Sequence, residues 1–301
     1  MSQARTIRKV FRSKPTIEGA GVHLKRAFGN AEAGQFDPFL LLDDFRSDTR
    51  SDYLPGFPWH PHRGIETITY VLEGNVEHGD SLGHQGVIGA GDVQWMTAGS
   101  GIIHQEMPKG DDQGRMYGFQ LWANLPASHK MMDPRYRDVT RDSLPPITRG
   151  GAEVRVICGE FEGTQGPVHD IVTDPEYLDV TLSPGTEFVQ ATKRGHTCLA
   201  YVIDGNGQFC RADDPFAYEI EGANYFDTEI HKLIGNGSLI LFRDGDSLTV
   251  STLDEPVRFL LISGQPIGEP IAWYGPIVMN TREELRLAFD ELRDGTFIKH
   301  G

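Results

Sequence analysis

Ten short apolar runs, punctuated at short intervals by Gly, Asp, Asn and Pro, leave this chain little room for anything but β-structure. They read FLLLDDF, ETITYVLEG, GDVQWMTA, RMYGFQLWANL, EVRVICGEF, EYLDVTLSPG, CLAYVIDGNGQF, GSLILFRDG, LTVSTL and VRFLLISG. Strand-length runs with turn residues at short intervals build sandwiches or barrels. The 35 glycines and 18 prolines supply the turns. One segment breaks the rule, residues 281–295 (TREELRLAFDELRDG). Thr281 with Glu284 forms a capping box, Leu285, Ala288, Phe289 and Leu292 make one apolar face, and Gly295 marks the stop, so a helix is expected there. A short helical turn is also expected at Asp133 to Arg137.

The chain is 301 residues long, which suits two domains. An internal repeat supports that division. Thr69-Tyr70-Val71-Leu72-Glu73-Gly74 matches Ala200-Tyr201-Val202-Ile203-Asp204-Gly205 at an offset of 131. Residues 89–96 (GAGDVQWM) match residues 235–242 (GNGSLILF) at an offset of 146. The difference of 15 places a longer connection in the second half, at Asp213 to Lys232. Two copies of one barrel are expected, residues 1–145 and residues 146–301, with the junction in residues 141–151 (RDSLPPITRGG) and the helix in the second copy.

Chemistry concentrates at FPWHPHRGIETITYVLEG, residues 57–74. His60 and His62 stand at i and i+2, so a strand turns both imidazoles to one face and Pro61 to the other. Proline lacks the N–H of a ladder bond, which is harmless at a strand start or on an unpaired edge. His104 and Glu106 repeat the i, i+2 spacing in GAGDVQWMTAGSGIIHQEMP, residues 89–108. Facing strands would converge these residues into three nitrogens and one carboxylate around a single divalent metal ion. A His-and-carboxylate set with open positions suits oxygen-activating Fe(II), and Ni, Cu, Mn or Co also accept imidazole. Glu66, four residues after His62, is expected on the same side, as a fifth ligand or as an acceptor for an imidazole N–H. Its plainer reading is an ion pair with Arg63 or a lysine. His78 and His84 read as loop or rim residues. His23, His129, His169, His196, His231 and His300 lack partner spacing and read as surface or structural.

The formal charge of −15 argues against direct nucleic-acid binding. The basic stretch at residues 5–14 (RTIRKVFRSK) reads as a solvated strand face. Cys158, Cys198 and Cys210 are odd in number and lack metal-site spacing, so free thiols in a reducing compartment are expected. No apolar run is long enough for a signal peptide or a membrane span. The expected location is the cytoplasm, with the nucleus open for a eukaryotic source.

DPFLLLDDF (37–45), HPHRGIETITYVLEG (60–74), GDVQWMTAGSGIIHQEMP (91–108) and GPIVMNTREEL (275–285) resemble signatures of the pirin family, within the cupin superfamily. The resemblance implies an all-β bicupin, two tandem cupin (jelly-roll β-barrel) domains facing each other, with a C-terminal α-helix. It implies iron held by His60, His62, His104 and Glu106. Glu66 occupies the ligand position of the general cupin pattern, whereas pirin-like chains use the later carboxylate, Glu106. Under the repeat offsets, His60 and His62 become Ala191 and Lys193, and His104 and Glu106 become Val250 and Thr252, so the second barrel is expected to hold no metal. The resemblance further implies a metal-dependent dioxygenase that opens flavonols such as quercetin and releases carbon monoxide. Glu106 or Glu66 would take the flavonol hydroxyl proton. Phe57, Trp59, Trp95, Met96 and Met107 are candidates to wall the cavity. The alternatives are a redox-sensitive, non-catalytic regulator that binds a transcription factor or a metabolic enzyme complex, and a cupin acting on another phenolic or diketone.

Overall fold

All ten apolar runs carry strands. A computed structural model describes residues 3–211, 214–222 and 232–300. The chain forms two compact units: residues 14–143 with 267–301, here the first unit, and residues 1–13 with 144–266, the second. The internal junction lies at Ser143/Leu144, but the chain ends are exchanged relative to a single cut near residue 145. The helix Arg282–Arg293, with the Thr281/Glu284 capping box formed, therefore belongs to the first unit.

The seven-stranded sheet of the first unit explains the exchange. Its order is Arg135–Val139, Val93–Thr97, Ile65–Glu73, Tyr117–Asn124, Phe39–Asp44, Val22–Phe28, Lys14–Glu18. In the second unit the same seven places are taken by Ile7–Arg12, Ser238–Phe242, Thr197–Phe209, Val257–Gly264, Glu176–Leu182, Ala152–Cys158 and Ile147–Arg149. The first strand of the chain thus fills, in the second unit, the slot that Arg135–Val139 fills in the first. Both are antiparallel to their neighbour. Pairing to Val93–Thr97 also overrides the helical turn expected at Asp133 to Arg137. Residues 5–14 are not simply a solvated face, because Arg5 is buried. Its guanidinium donates to Thr192 Oγ1 at 2.7 Å and to the carbonyls of Lys193, His196 and Arg243.

The repeat holds at the level of paired residues. Thr69 lies opposite Gln94, and their offset equivalents Ala200 and Ile240 lie opposite each other. Much of the longer connection expected between Asp213 and Lys232 lies outside the described residues, as does His231. The histidine strand follows a different offset. His60 pairs with His104 and His62 with Ile102, while Phe188 pairs with Val250 and Gln190 with Leu248. The second copy takes a longer turn between Ala191 and Thr197 than the first takes between His62 and Ile65. The equivalents of His60 and His62 are therefore Phe188 and Gln190, not Ala191 and Lys193.

A second, four-stranded sheet completes the first unit, in the order Phe57–His62, Ile102–Pro108, Val76–Asp80, Gln85–Ile88. The strand Phe57–His62 is its edge, where Pro58 and Pro61 cost no ladder bond. Apolar side chains of the two sheets pack together, including Leu24, Phe45, Val71, Val76 and Ile88. No disulfide joins the three cysteines, and Cys158 and Cys198 are buried.

In the second unit, Glu176 lines a cavity of about 430 Å³ together with Gln190 and Ser263. Gln190 Nε2 donates to its carboxyl at 2.8 Å, and burial raises its pKa from 4.5 to about 7. The native state then binds more protons than the unfolded chain between these two values, so this group's contribution to stability falls as pH rises through that window. From about pH 5 to about pH 8 the wild type loses up to about 3 kcal/mol through this group. Glu176→Gln removes that slope, and its thermal midpoint gains on the wild type as pH rises. Parallel pH profiles for the two proteins would refute the assignment.

Candidate metal centre

Strand alternation brings His60 and His62 to one face, and the pairing of Phe57–His62 with Ile102–Pro108 sets His104 directly across from His60. The ligand nitrogens of His60, His62 and His104 all lie within 4.8 Å of one another. His62 and His104 are buried and His60 is half-buried.

Backbone carbonyls set the tautomers of two of the rings. His60 Nδ1 lies 2.8 Å from Pro58 O and His62 Nδ1 lies 3.0 Å from Pro276 O, so each Nδ1–H donates and each Nε2 keeps a bare lone pair. The two Nε2 atoms are 3.1 Å apart. Neither has a proton to give the other. That separation is close to the roughly 3.0 Å between two nitrogens bound at right angles to one ion through bonds of about 2.1 Å. Burial, reinforced by the neighbouring imidazoles, holds the His62 and His104 pKa values well below the usual 6.5, so both rings are neutral ligands. Both ring nitrogens of His104 are buried without a hydrogen-bond partner. A buried polar atom left this way is costly unless something unseen meets it. A metal ion fits this set.

Glu106 stands beside the cluster, its Oε2 at 3.9 Å from His104 Nε2. Thr69 Oγ1 lies 2.8 Å from Glu106 Oε1 and 2.6 Å from the Gln120 side-chain amide. A hydroxyl carries one proton, so it serves Glu106 when the Gln120 amide turns its N–H toward Thr69.

Glu66 is not brought to this cluster. Gly64, at φ +78°, turns the chain between the two strands, and the alternation that links His60 to His62 does not pass through it. Glu66 lies opposite Thr97 and three residues from Thr69, on the other face of the sheet. Thr97 Oγ1 donates to its carboxyl at 2.6 Å, and burial raises its pKa.

His60, His62 and Glu106 line a cavity of about 600 Å³. Of the expected wall residues, Phe57 and Trp59 are there, whereas Trp95, Met96 and Met107 are not. Trp122 and Trp273 take their place, and Trp122 meets His62 edge to face at 5.0 Å. Arg26, Asp43, Thr69 and Gln120 also line the cavity, and the sequence reading did not single them out. The signal available was Asp43 in FLLLDDF, an acid inside an apolar strand. His78 and His84 lie nearby but serve neighbours: His78 meets Gln94 Nε2 at 3.1 Å, and His84 Nδ1 lies 2.9 Å from Asp80.

Comparison with known proteins agrees with this architecture. The pirin family model matches residues 21–123, and the model of the pirin C-terminal cupin domain matches residues 177–298. A pirin-like protein of Caulobacter vibrioides is 44% identical over 295 residues, covering 97% of this chain and 99% of that one. A Pseudomonas aeruginosa protein named "Putative quercetin 2,3-dioxygenase" is 40% identical over 300 residues, covering 98% and 99%. Among solved structures, quercetin 2,3-dioxygenase from Acinetobacter baumannii superposes with a TM-score of 0.83 at 30% identity, covering 98% of this chain and 99% of that one. With its all-β tandem cupin units and its histidine cluster in the first of them, the chain belongs to the pirin family.

Proposed function

We propose that this protein is a metal-dependent dioxygenase of flavonols such as quercetin. The observation that carries the reading is a trio of imidazoles with free lone pairs, gathered at an aromatic-lined cavity large enough for a three-ring substrate. The Pseudomonas relative at 40% identity, named "Putative quercetin 2,3-dioxygenase", and the Acinetobacter structure carry that activity in their names. His60, His62 and His104 hold the ion, and Glu106 completes the set. Three neutral imidazoles and one carboxylate favour Fe(II), and Ni, Cu, Mn or Co suit the same donors. A divalent metal bound there supplies Lewis acidity and reactivity toward dioxygen.

The chain's own residues do the rest. Glu106 is the carboxylate at the cavity wall that receives the flavonol hydroxyl proton, while the Thr69 hydroxyl keeps it oriented. Trp122 and Phe57 offer flat apolar surface to the rings and displace water from them. Glu66, on the opposite sheet face, plays no part in proton transfer. Atoms balance without a further reactant: flavonol and dioxygen give the ring-opened ester and carbon monoxide.

Two measurements test this reading. Purified protein is expected to bind about one metal ion per chain, and His62→Ala is expected to lose it; full occupancy in the variant would remove His62 from the ligand set. Metal-loaded protein in air is expected to bleach quercetin with release of carbon monoxide, and to leave it intact without oxygen. Unchanged absorbance with the iron, nickel, copper, manganese and cobalt forms alike would overturn the dioxygenase reading. It would favour a regulatory role for the same metal site.

A further inference from the structure

A row of polar side chains crosses the seven-stranded sheet of the first unit from strand to strand. Arg26 lies opposite Asp43, Asp43 opposite Gln120, Gln120 opposite Thr69, Thr69 opposite Gln94, and Gln94 opposite Asp138. Six neighbouring strands each contribute one member. Asp43, Thr69 and Gln94 are buried, Arg26 and Gln120 are half-buried and Asp138 is exposed. Polar groups buried in this way need hydrogen-bond partners that apolar side chains do not, and the second unit shows that the fold does not require them. Its equivalent row, read from the same pairings, is Val156, Leu178, Leu261, Ala200, Ile240 and Val10. All six are buried in one apolar cluster. The copy without the histidines also lacks the row, so the row goes with the cavity rather than with the sheet.

Four members, Arg26, Asp43, Gln120 and Thr69, line the cavity. Thr69 touches Glu106 at the metal end. Asp43 lies two strands away, about 10 Å at the usual strand spacing. There Arg26 holds it in a two-pronged pair, Nε to Oδ1 at 2.8 Å and Nη2 to Oδ2 at 2.7 Å, and its Nη1 reaches Glu18 at 2.9 Å. Three of the five guanidinium N–H donors are used in these bonds, and each carboxylate oxygen of Asp43, accepting one of them, has lone-pair capacity for a further bond. The pair is fixed in place and presents both a donor and an acceptor to a ligand.

We propose that Arg26 and Asp43 read the far end of the substrate. Resting on the function proposed above, this defines the ligand class: a flat aromatic with a metal-binding oxygen at one end and, at the other, a hydroxyl that reaches the Arg26 and Asp43 pair. Gln120 stands between them, beneath the rings. A flavonol with ring hydroxyls satisfies both ends, and 3-hydroxyflavone, with the same metal-binding group and no other hydroxyl, satisfies one.

The test is binding of quercetin and of 3-hydroxyflavone to metal-loaded, full-length protein without oxygen, so that affinity is read and not turnover. Wild type is expected to prefer quercetin by about tenfold or more, the worth of one hydrogen bond to a charged group. Asp43→Asn is expected to lose that preference, its quercetin affinity falling to that for 3-hydroxyflavone. Should Asp43→Asn fail to fold, Glu18→Gln, half-exposed at the end of the same ion network, is expected to weaken the preference without changing bound metal. Equal affinity for the two flavonols in wild type, or an unchanged preference in the variants, would overturn the proposal and leave the function above standing. Failure of both flavonols to bind the metal-loaded protein would overturn both.

Discussion

Two imidazole lone pairs held 3.1 Å apart, with no proton between them, are the constraint around which the first unit is organised. The arrangement is unfavourable by itself. Both Nε2 atoms are acceptors, and the third ring, His104, is buried with neither nitrogen partnered. It persists because each orienting contact comes from rigid backbone. Pro58, two residues before His60 on the same strand, supplies one carbonyl, and Pro276 supplies the other.

That second carbonyl explains why the chain must return. Residues 267–301 come back to the first unit and are pinned around the turn that follows His62. Buried Arg63 donates to Ser100 O, Phe297 O and Glu291, and its guanidinium lies 4.2 Å from the Phe297 ring centroid. Lys130 Nζ, buried, donates to the carbonyls of Gly64 and Val278 and to Asn124, three acceptors for the three donors of an ammonium. A side chain at Gly64 would collide with Val278 O. The C-terminal segment is thus part of the histidine cluster's support, not an appendage of the second barrel.

Much of this was legible in the sequence. Ten apolar runs gave ten strands, and the two i, i+2 pairs located the histidine cluster, because alternation within one strand is a local rule. What failed was carrying a local rule across a turn. Counting from His62 to Glu66 passes through Gly64, whose positive φ resets the face, and the repeat offset fails in the second unit at the longer turn before Thr197. The exchanged chain ends were invisible for a different reason. That Ile7–Arg12 and Arg135–Val139 occupy equivalent slots is a fact of long-range pairing, to which periodicity within a strand is blind. The polar row needed register as well, since its members are spread from Arg26 to Asp138.

The account stands on the donor set of one ion. X-ray absorption at the metal edge, with anomalous scattering from crystals of the loaded protein, reads that set directly. The expected result is a single ion bound by His60 Nε2, His62 Nε2, a ring nitrogen of His104 and a carboxylate oxygen of Glu106. An ion located away from these imidazoles, or a coordination shell without them, would contradict it.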